Sequence, residues 1–233
     1  MRDEIKEVAV IGLGSFGSSL VRQLLKENIK VMAIDVKKEL VENITNEVTA
    51  VSFDCTNKKQ LNGHGIKNVD LAIVAIGENF GNTVMITKLL KDMGVRVHSR
   101  ASNDQEEEIL KAVGADVIYR PEHDQGVTEA RKIAYSQFKD FIKLRANMEM
   151  LVTSPSKSMM TKIEHLTIRK LYGVNIVMIG KKQINKEKQN EEESYSYVIP
   201  NPENKIEEND LLWIIGSEEN IKNLKNDLLK ELE

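Results

Sequence analysis

The chain has 233 residues, enough for two domains, and 41% of them are apolar, enough for sizeable cores. A formal charge of -3 gives no general attraction to nucleic acid, and a single cysteine, Cys55, excludes an intrachain disulfide and a cysteine-based metal cluster and fits a reducing, cytoplasmic setting. The charged opening MRDEIKEVAVIG does not read as a signal peptide and no apolar run approaches the ~20 residues of a membrane span, so work at a membrane would go through a partner rather than by insertion.

Short apolar runs alternate with helical stretches through the first half. EVAVI (7–11) is a β-branched strand running into glycines. SFGSSLVRQLLKE (15–27) carries Phe16, Leu20 and Leu24 at helical spacing, and Asn28 suits a left-handed stop. Strands follow at 30–35 and 48–54, each ending in Asp, and at 71–77, whose apolar run suits burial on both faces. A helix at 80–94 closes on Gly94, a strand occupies 95–100, and a helix with acids in its first turn occupies 104–114. A sixth strand at 115–122 is stopped by Pro121. This alternation predicts an α/β fold, a Rossmann-like doubly wound parallel sheet.

Beyond Gly126 the pattern changes. The segment 127–142 reads as one helix leaving the sheet, 148–154 as a lone strand and 166–173 as a short helix. Strands are predicted at 174–180 and 211–216, and a terminal helix at 217–233 is capped by Ser217. The stretch 181–193, polar but for Ile184, reads as an exposed hairpin loop. The boundary is set near Asp140, giving an α/β domain with its crossover helix at 1–139 and a small α+β domain at 140–233.

The pattern Gly12-x-Gly14-x-x-Gly17 follows a predicted strand and opens a predicted helix. The first glycine permits the tight turn, the second lets a phosphate approach the backbone, and the third lets helix and strand pack closely. The helix N-terminus adds free N–H groups and the positive end of its dipole. Asp35 lies eighteen residues past Gly17, near the ~20 expected of an acid that holds a ribose. Its charge disfavours a 2′-phosphate and hence NADP. Asp54 ends the third strand on the same carboxyl edge, where it can face a ligand, cap the next helix with Thr56, or do both. Arg100 is placed for a phosphate or for a surface ion pair, and Glu122 for a cation or for solvent.

A nicotinamide dehydrogenase needs an acid or base near the hydride site. His64 sits in a helix-end turn, His98 on a strand, and His123 beside Glu122; neither these nor His165 falls in a catalytic motif. There is no Gly-x-Ser-x-Gly elbow, and the second half is small for a substrate domain. These features favour a sensor over an enzyme.

The segments VIGLGSFG, FDCTN, LAIVAIGEN, SRASN and GADVIYRPEHDQG, followed by LTIRKLYGVNIVMIG and IEENDLLWIIGSEENI, occur in an order and spacing that resembles the RCK (KTN) proteins. The resemblance covers nearly the whole chain and is nearest to the TrkA/KtrA/KtrC-type cytosolic subunits of bacterial potassium transporters. It implies an RCK-N domain that binds ATP or ADP rather than performing redox chemistry, followed by an RCK-C domain. Gly12, Gly14, Ser15, Phe16 and Gly17 would then surround the phosphates, with Arg100 nearby. Asp35 would hold the ribose, and Asp54, Cys55 and Thr56 would lie by the base. Glu122 would stand where the family places a divalent cation, Mg or Ca, between paired subunits. Ser15 departs from the arginine that such proteins often carry there to reach a neighbour's γ-phosphate.

In the second domain the resemblance implies a cyclic di-AMP site at a dimer interface, built from Arg169, Asn175, Ile176 and Pro200. An ordinary hydrophobic strand at a dimer interface accounts for the same residues. The resemblance further implies homodimers assembled into an octameric ring that docks on a KtrB/TrkH-type membrane subunit at the inner face of the cell membrane. An NAD-dependent oxidoreductase or a free-standing NAD(H) or nucleotide sensor is the competing reading.

Overall fold

The computed structural model describes residues 4–44, 48–136, 138–144, 146–161, 163, 167–183 and 194–230. The chain forms two compact units, Met1–Thr128 and Glu129–Glu233, each with its own sheet. His165 and most of the polar stretch expected as a hairpin loop lie outside the described residues.

The first unit holds six parallel strands: β1 (Glu7–Ile11), β2 (Lys30–Asp35), β3 (Thr49–Ser52), β4 (Leu71–Val74), β5 (Val97–Arg100) and β6 (Val117–Tyr119). Their order is β3-β2-β1-β4-β5-β6, the doubly wound arrangement the alternation predicted. The central strands explain it. Ala9, Ile11, Ala72 and Val74 enter one core while Val8, Val10, Leu71 and Ile73 enter another. A strand's period of two sends alternate side chains to opposite faces, so apolar residues at every position demand helices on both. These helices are α1 (Ser15–Lys26), α2 (Lys38–Glu42), α3 (Lys58–Gly63), α4 (Phe80–Asp92) and α5 (Asp104–Ala112). Strand order reverses at β1 and β4, and a crevice opens there at the carboxyl ends of the strands.

Beyond β6 the structure corrects two expectations. Pro121 is the first residue of α6 (Pro121–Ala134), where a missing N–H leaves no helical bond unmade. That helix does not run to 142. Residues Asp140–Lys143 form β7, which pairs antiparallel with β8 (Met148–Thr153), so the strand at 148 is not alone. Tyr135 and Phe138, expected on the helix, pack with the second core.

The second unit is an antiparallel sheet of order β10-β9-β11-β8-β7. Its further strands are β9 (Asn175–Gln183), β10 (Ser194–Val198) and β11 (Leu211–Ser217). Residues 181–183 thus extend a strand instead of opening a loop. Helices α7 (Ile168–Tyr172) and α8 (Glu218–Lys230) complete it. Ser217 caps α8 as expected, its Oγ accepting from the Asn220 N–H at 3.2 Å. Leu151, Ile179, Leu212 and Ile214 of the sheet pack with Ile221 and Leu224 of α8. Lys225 is buried among them, 3.4 Å from the Glu149 carboxylate and over the rings of Tyr135 and Phe141.

Candidate functional site

The crevice at the carboxyl edge of the first sheet is an open cleft of about 600 Å³. Its floor is the glycine turn. Gly12 has φ +97°, a conformation L side chains rarely adopt, and its N–H donates to the Ile34 carbonyl at 2.8 Å. Gly17 faces back on that turn, and a Cβ there would collide with the Gly12 carbonyl oxygen. Gly14 differs: it precedes α1 with nothing within 4 Å of where a Cβ would stand, and it lines the cleft. Helix, turn and strand are thus locked by the first and third glycines, and the second presents bare backbone to the cavity. Ser15 and Phe16 line the cleft beside it, and Phe16 is held edge-on against Tyr119 with ring centroids 6.1 Å apart.

Asp35 stands at the end of β2 in the cleft wall. Its Oδ2 accepts from the Leu13 N–H at 2.7 Å and its Oδ1 from the Lys37 N–H at 2.8 Å. The carboxylate therefore ties the glycine turn to the second strand, and each oxygen keeps a lone pair for a further donor.

Asp54, Cys55 and Thr56 reach the same cleft. Asp54 Oδ1 accepts from the Thr56 N–H at 2.9 Å and hydroxyl at 2.7 Å. The cap of α3 is Asn57, whose side chain accepts from Lys59 N–H at 3.0 Å, so the helix-cap alternative for Asp54 fails. Burial pushes the Cys55 thiol up to about 12, with the Asp54 and Asp35 carboxylates adding to it. It is a protonated wall residue, not a nucleophile.

Arg100 and Glu122 meet across the cleft in an ion pair. The Arg100 guanidinium lies against Gly77, where a Cβ would strike it. Sequence reasoning missed Gly77, Lys37, Glu78, Asn79 and Asn82, all of which line the cleft. The Gly-Glu-Asn run after a fully buried strand was the available signal: Asn79 has φ 60° and caps α4, its side chain accepting from the Asn82 N–H at 3.4 Å. No histidine is among the described lining residues. His98 lies within the sheet against Tyr119, His64 stacks on Phe53, and His123 adjoins Asp124. Glu122 faces a guanidinium, and among the described residues no group of three or more His, Cys, Asp or Glu side chains is placed to hold a metal ion.

Arg169, Asn175, Ile176 and Pro200 belong to the second unit. Arg169 is exposed on α7, Asn175 is exposed at the start of β9, and Ile176 is half-buried next to it. Pro200 is half-buried two residues past β10, which runs antiparallel to β9 with Val198 opposite Ile179. The register thus brings the end of β10 beside the middle of β9. Leu171, Val177 and Ile199 are exposed apolar residues of the same segments.

Residues 8–121 match the TrkA-N domain family. The chain is 34% identical over 229 residues to Ktr system potassium uptake protein C of Bacillus subtilis (strain 168), covering 96% of this chain and 98% of that one. It is 32% identical to Ktr system potassium uptake protein A of the same organism, covering 95% and 96%. Among solved structures, a GsuK channel bound to NAD aligns with TM-score 0.63 at 13% identity, over 98% of this chain and 40% of that one. At that identity the likeness is one of fold. The matched domain, the full-length likeness and the shared architecture place the chain in one family: it belongs to the TrkA-N/RCK proteins of the Ktr potassium uptake systems.

Proposed function

We propose that this chain is a non-enzymatic, nucleotide-responsive regulatory subunit of a Ktr-type potassium uptake system, with ADP or ATP as the ligand of the cleft. The observation that carries the reading is the glycine turn: bare backbone at Gly14 faces the cavity beside a carboxylate, Asp35, that is already oriented by the loop it would serve. Phosphates fit the N-terminus of α1, ribose hydroxyls fit Asp35, and the apolar wall of Val36, Phe53 and Cys55 suits a purine. With no histidine among the described lining residues and the Cys55 thiol held protonated, the cleft is better suited to holding a ligand than to transforming one. Its partner is a potassium-conducting membrane subunit. No helix among the described residues is long and apolar enough to cross a membrane, so the chain acts peripherally through that partner.

Charge-assisted hydrogen bonds from ribose hydroxyls to a carboxylate contribute ~1.5–3 kcal/mol each. Asp35→Ala is expected to weaken ADP and ATP about tenfold or more, roughly 1.4 kcal/mol, in calorimetric titrations run beside NAD and NADH. Unchanged affinity refutes the assignment of Asp35; NAD binding with ADP and ATP silent replaces the ligand; hydride transfer to a simple substrate returns the chain to the oxidoreductases.

For the second unit the proposed ligand is cyclic di-AMP, held between two copies. The support is an exposed Arg169 on α7, the short helix that leads into β9, where Asn175 is exposed and Ile176 half-buried. A two-fold ligand suits an isologous interface, where each copy's arginine answers one phosphate.

A further inference from the structure

A row of aromatic rings runs from the cleft wall into the body of the first sheet. Phe16, in the first turn of α1, lines the cleft. Its ring meets the half-buried Tyr119 at the end of β6 edge-on, with centroids 6.1 Å apart. Tyr119 in turn packs edge-on against His98 of β5, with centroids 5.5 Å apart, and its hydroxyl is 2.7 Å from His98 Nδ1. The inner end of the row is its weak point. His98 Nε2 is buried with no hydrogen bond among the described residues. The charges that act on the ring are Arg96, which repels a cation, and Asp116, whose carboxylate is already taken by the Lys91 ammonium and the Val97 N–H, each at 2.7 Å. Its neighbours in the ladder, Ile73 on β4 and Val117 on β6, are apolar. A neutral imidazole keeps one nitrogen as donor and one as acceptor, so either tautomer holds the bond to Tyr119. An imidazolium has two donors, and here one of them would be a buried, charged N–H with nothing to accept it.

We infer that His98 is a proton sensor for the cleft: on taking up a proton it leaves Tyr119, Tyr119 ceases to brace Phe16, and the phosphate end of the cleft loosens. The inference rests on the nucleotide reading of the cleft. Burial, joined by the Arg96 charge, holds the ring's pKa below 6.5, so His98 is neutral at pH 7 and takes up its proton in acid. An imidazolium left in place is a buried charge without a partner, so the ring moves toward water and parts from Tyr119. Tyr119 itself stays a neutral phenol, since burial raises its pKa from 10. Phe16 carries the change to the ligand, because its ring pins the first turn of α1, whose backbone N–H groups are the proposed phosphate donors. Nucleotide therefore prefers the chain with His98 neutral. By linkage, binding expels a proton from His98, and affinity falls as pH drops through the folded value of that ring.

The test counts protons. Titration calorimetry of the full chain with ADP, repeated in buffers of different ionisation enthalpy, gives the protons released per ADP bound at pH 7.5 and pH 5.5. Protons from ADP and from the exposed acids of the cleft are common to wild type and variants and cancel in the comparison. At pH 5.5 the wild type is expected to release more protons than His98→Gln. Its affinity should also fall about two- to threefold further between the two pH values, equivalent to binding lowering the His98 midpoint by up to about half a pH unit. At pH 7.5 the two should agree. Tyr119→Phe keeps a ring against Phe16 and removes the hydroxyl; it is expected to lose the extra release as His98→Gln does, and it decides the matter if His98→Gln fails to fold. Equal release by wild type and variant at pH 5.5 overturns the inference. So does an excess that survives undiminished in Tyr119→Phe, since that reports charge near the cleft and not the row of rings. A wild-type chain that binds neither ADP nor ATP at pH 7.5 defeats the nucleotide reading itself, a result distinct from binding whose proton release is indifferent to His98.

Discussion

His98 carries one atom for which the structure supplies no partner. The residue is 7% exposed, Nδ1 meets the Tyr119 hydroxyl at 2.7 Å, and Nε2 is buried with no hydrogen bond among the described residues. Burial, helped by the Arg96 charge and opposed by Asp116, holds its pKa below the ordinary 6.5. In that window the unfolded chain binds a proton that the folded chain refuses. The stabilisation is therefore complete above 6.5 and is lost as pH falls through the folded value. Urea unfolding at pH 7.5 and pH 5 should show a larger loss for the wild type than for His98→Gln; equal losses would show that the ring titrates freely. At this same scale the glycines and Asp35 were legible because each meets a local demand: a φ, a close approach, an acid at a strand end. Glu78 and the Arg100–Glu122 pair were not, since residues 22 or 41 apart along the chain share a cleft only through the sheet order.

The strand–turn–helix unit of β1 and α1 depends on Gly17, whose missing side chain admits the Gly12 carbonyl. Gly17→Ala must shift α1 away from the turn, an overpacking cost of about 1–3 kcal/mol, and should weaken ADP binding as well, because the same turn faces the cleft. Denaturant unfolding with unchanged stability would show that α1 yields freely. The strands of the first unit and its helices α1, α4 and α5 were readable from their apolar periodicity, whereas the short α2 was not. The elements of the second unit were less so. DFIK (140–143) and SYSYV (194–198) are short, and none of their residues is buried; what makes them strands is pairing to β8 and β9. A four-residue run continuing a helical stretch reads as helix until its backbone partners are known.

For the whole molecule, the proposed assembly into dimers and an octameric ring needs an apolar surface shared between copies. α6 has no buried residue in the single chain, and Ile133 on it is 76% exposed while Val127 is exposed nearby. Ile133→Asp is expected to lower the mass seen by light scattering at micromolar concentration with nucleotide present, leaving the unfolding transition in place. Phe138→Asp acts otherwise: Phe138 is buried in the second core, and its variant should lose stability by ~3–5 kcal/mol. A full-size particle with Ile133→Asp would remove α6 from the interface. For cyclic di-AMP, Arg169→Ala in the full chain should abolish binding in calorimetry and leave ADP affinity intact; a flat wild-type isotherm at tens of micromolar ligand would leave the second unit as a plain dimerisation domain.

The sequence alone determined the doubly wound sheet, the glycine turn with its acid, and the likeness to potassium-uptake proteins. Each is written in residues close along the chain: continuous apolar runs force burial on both faces, and Gly12, Gly14 and Gly17 are demanded by one turn of backbone. Tertiary structure decided where the helix after β6 stops, which strands edge the second sheet, and that the cleft's two bases are each engaged by its own acids. Those outcomes depend on contacts between distant segments. Local propensity is nearly indifferent to them, and backbone pairing and charge proximity in the folded chain settle them.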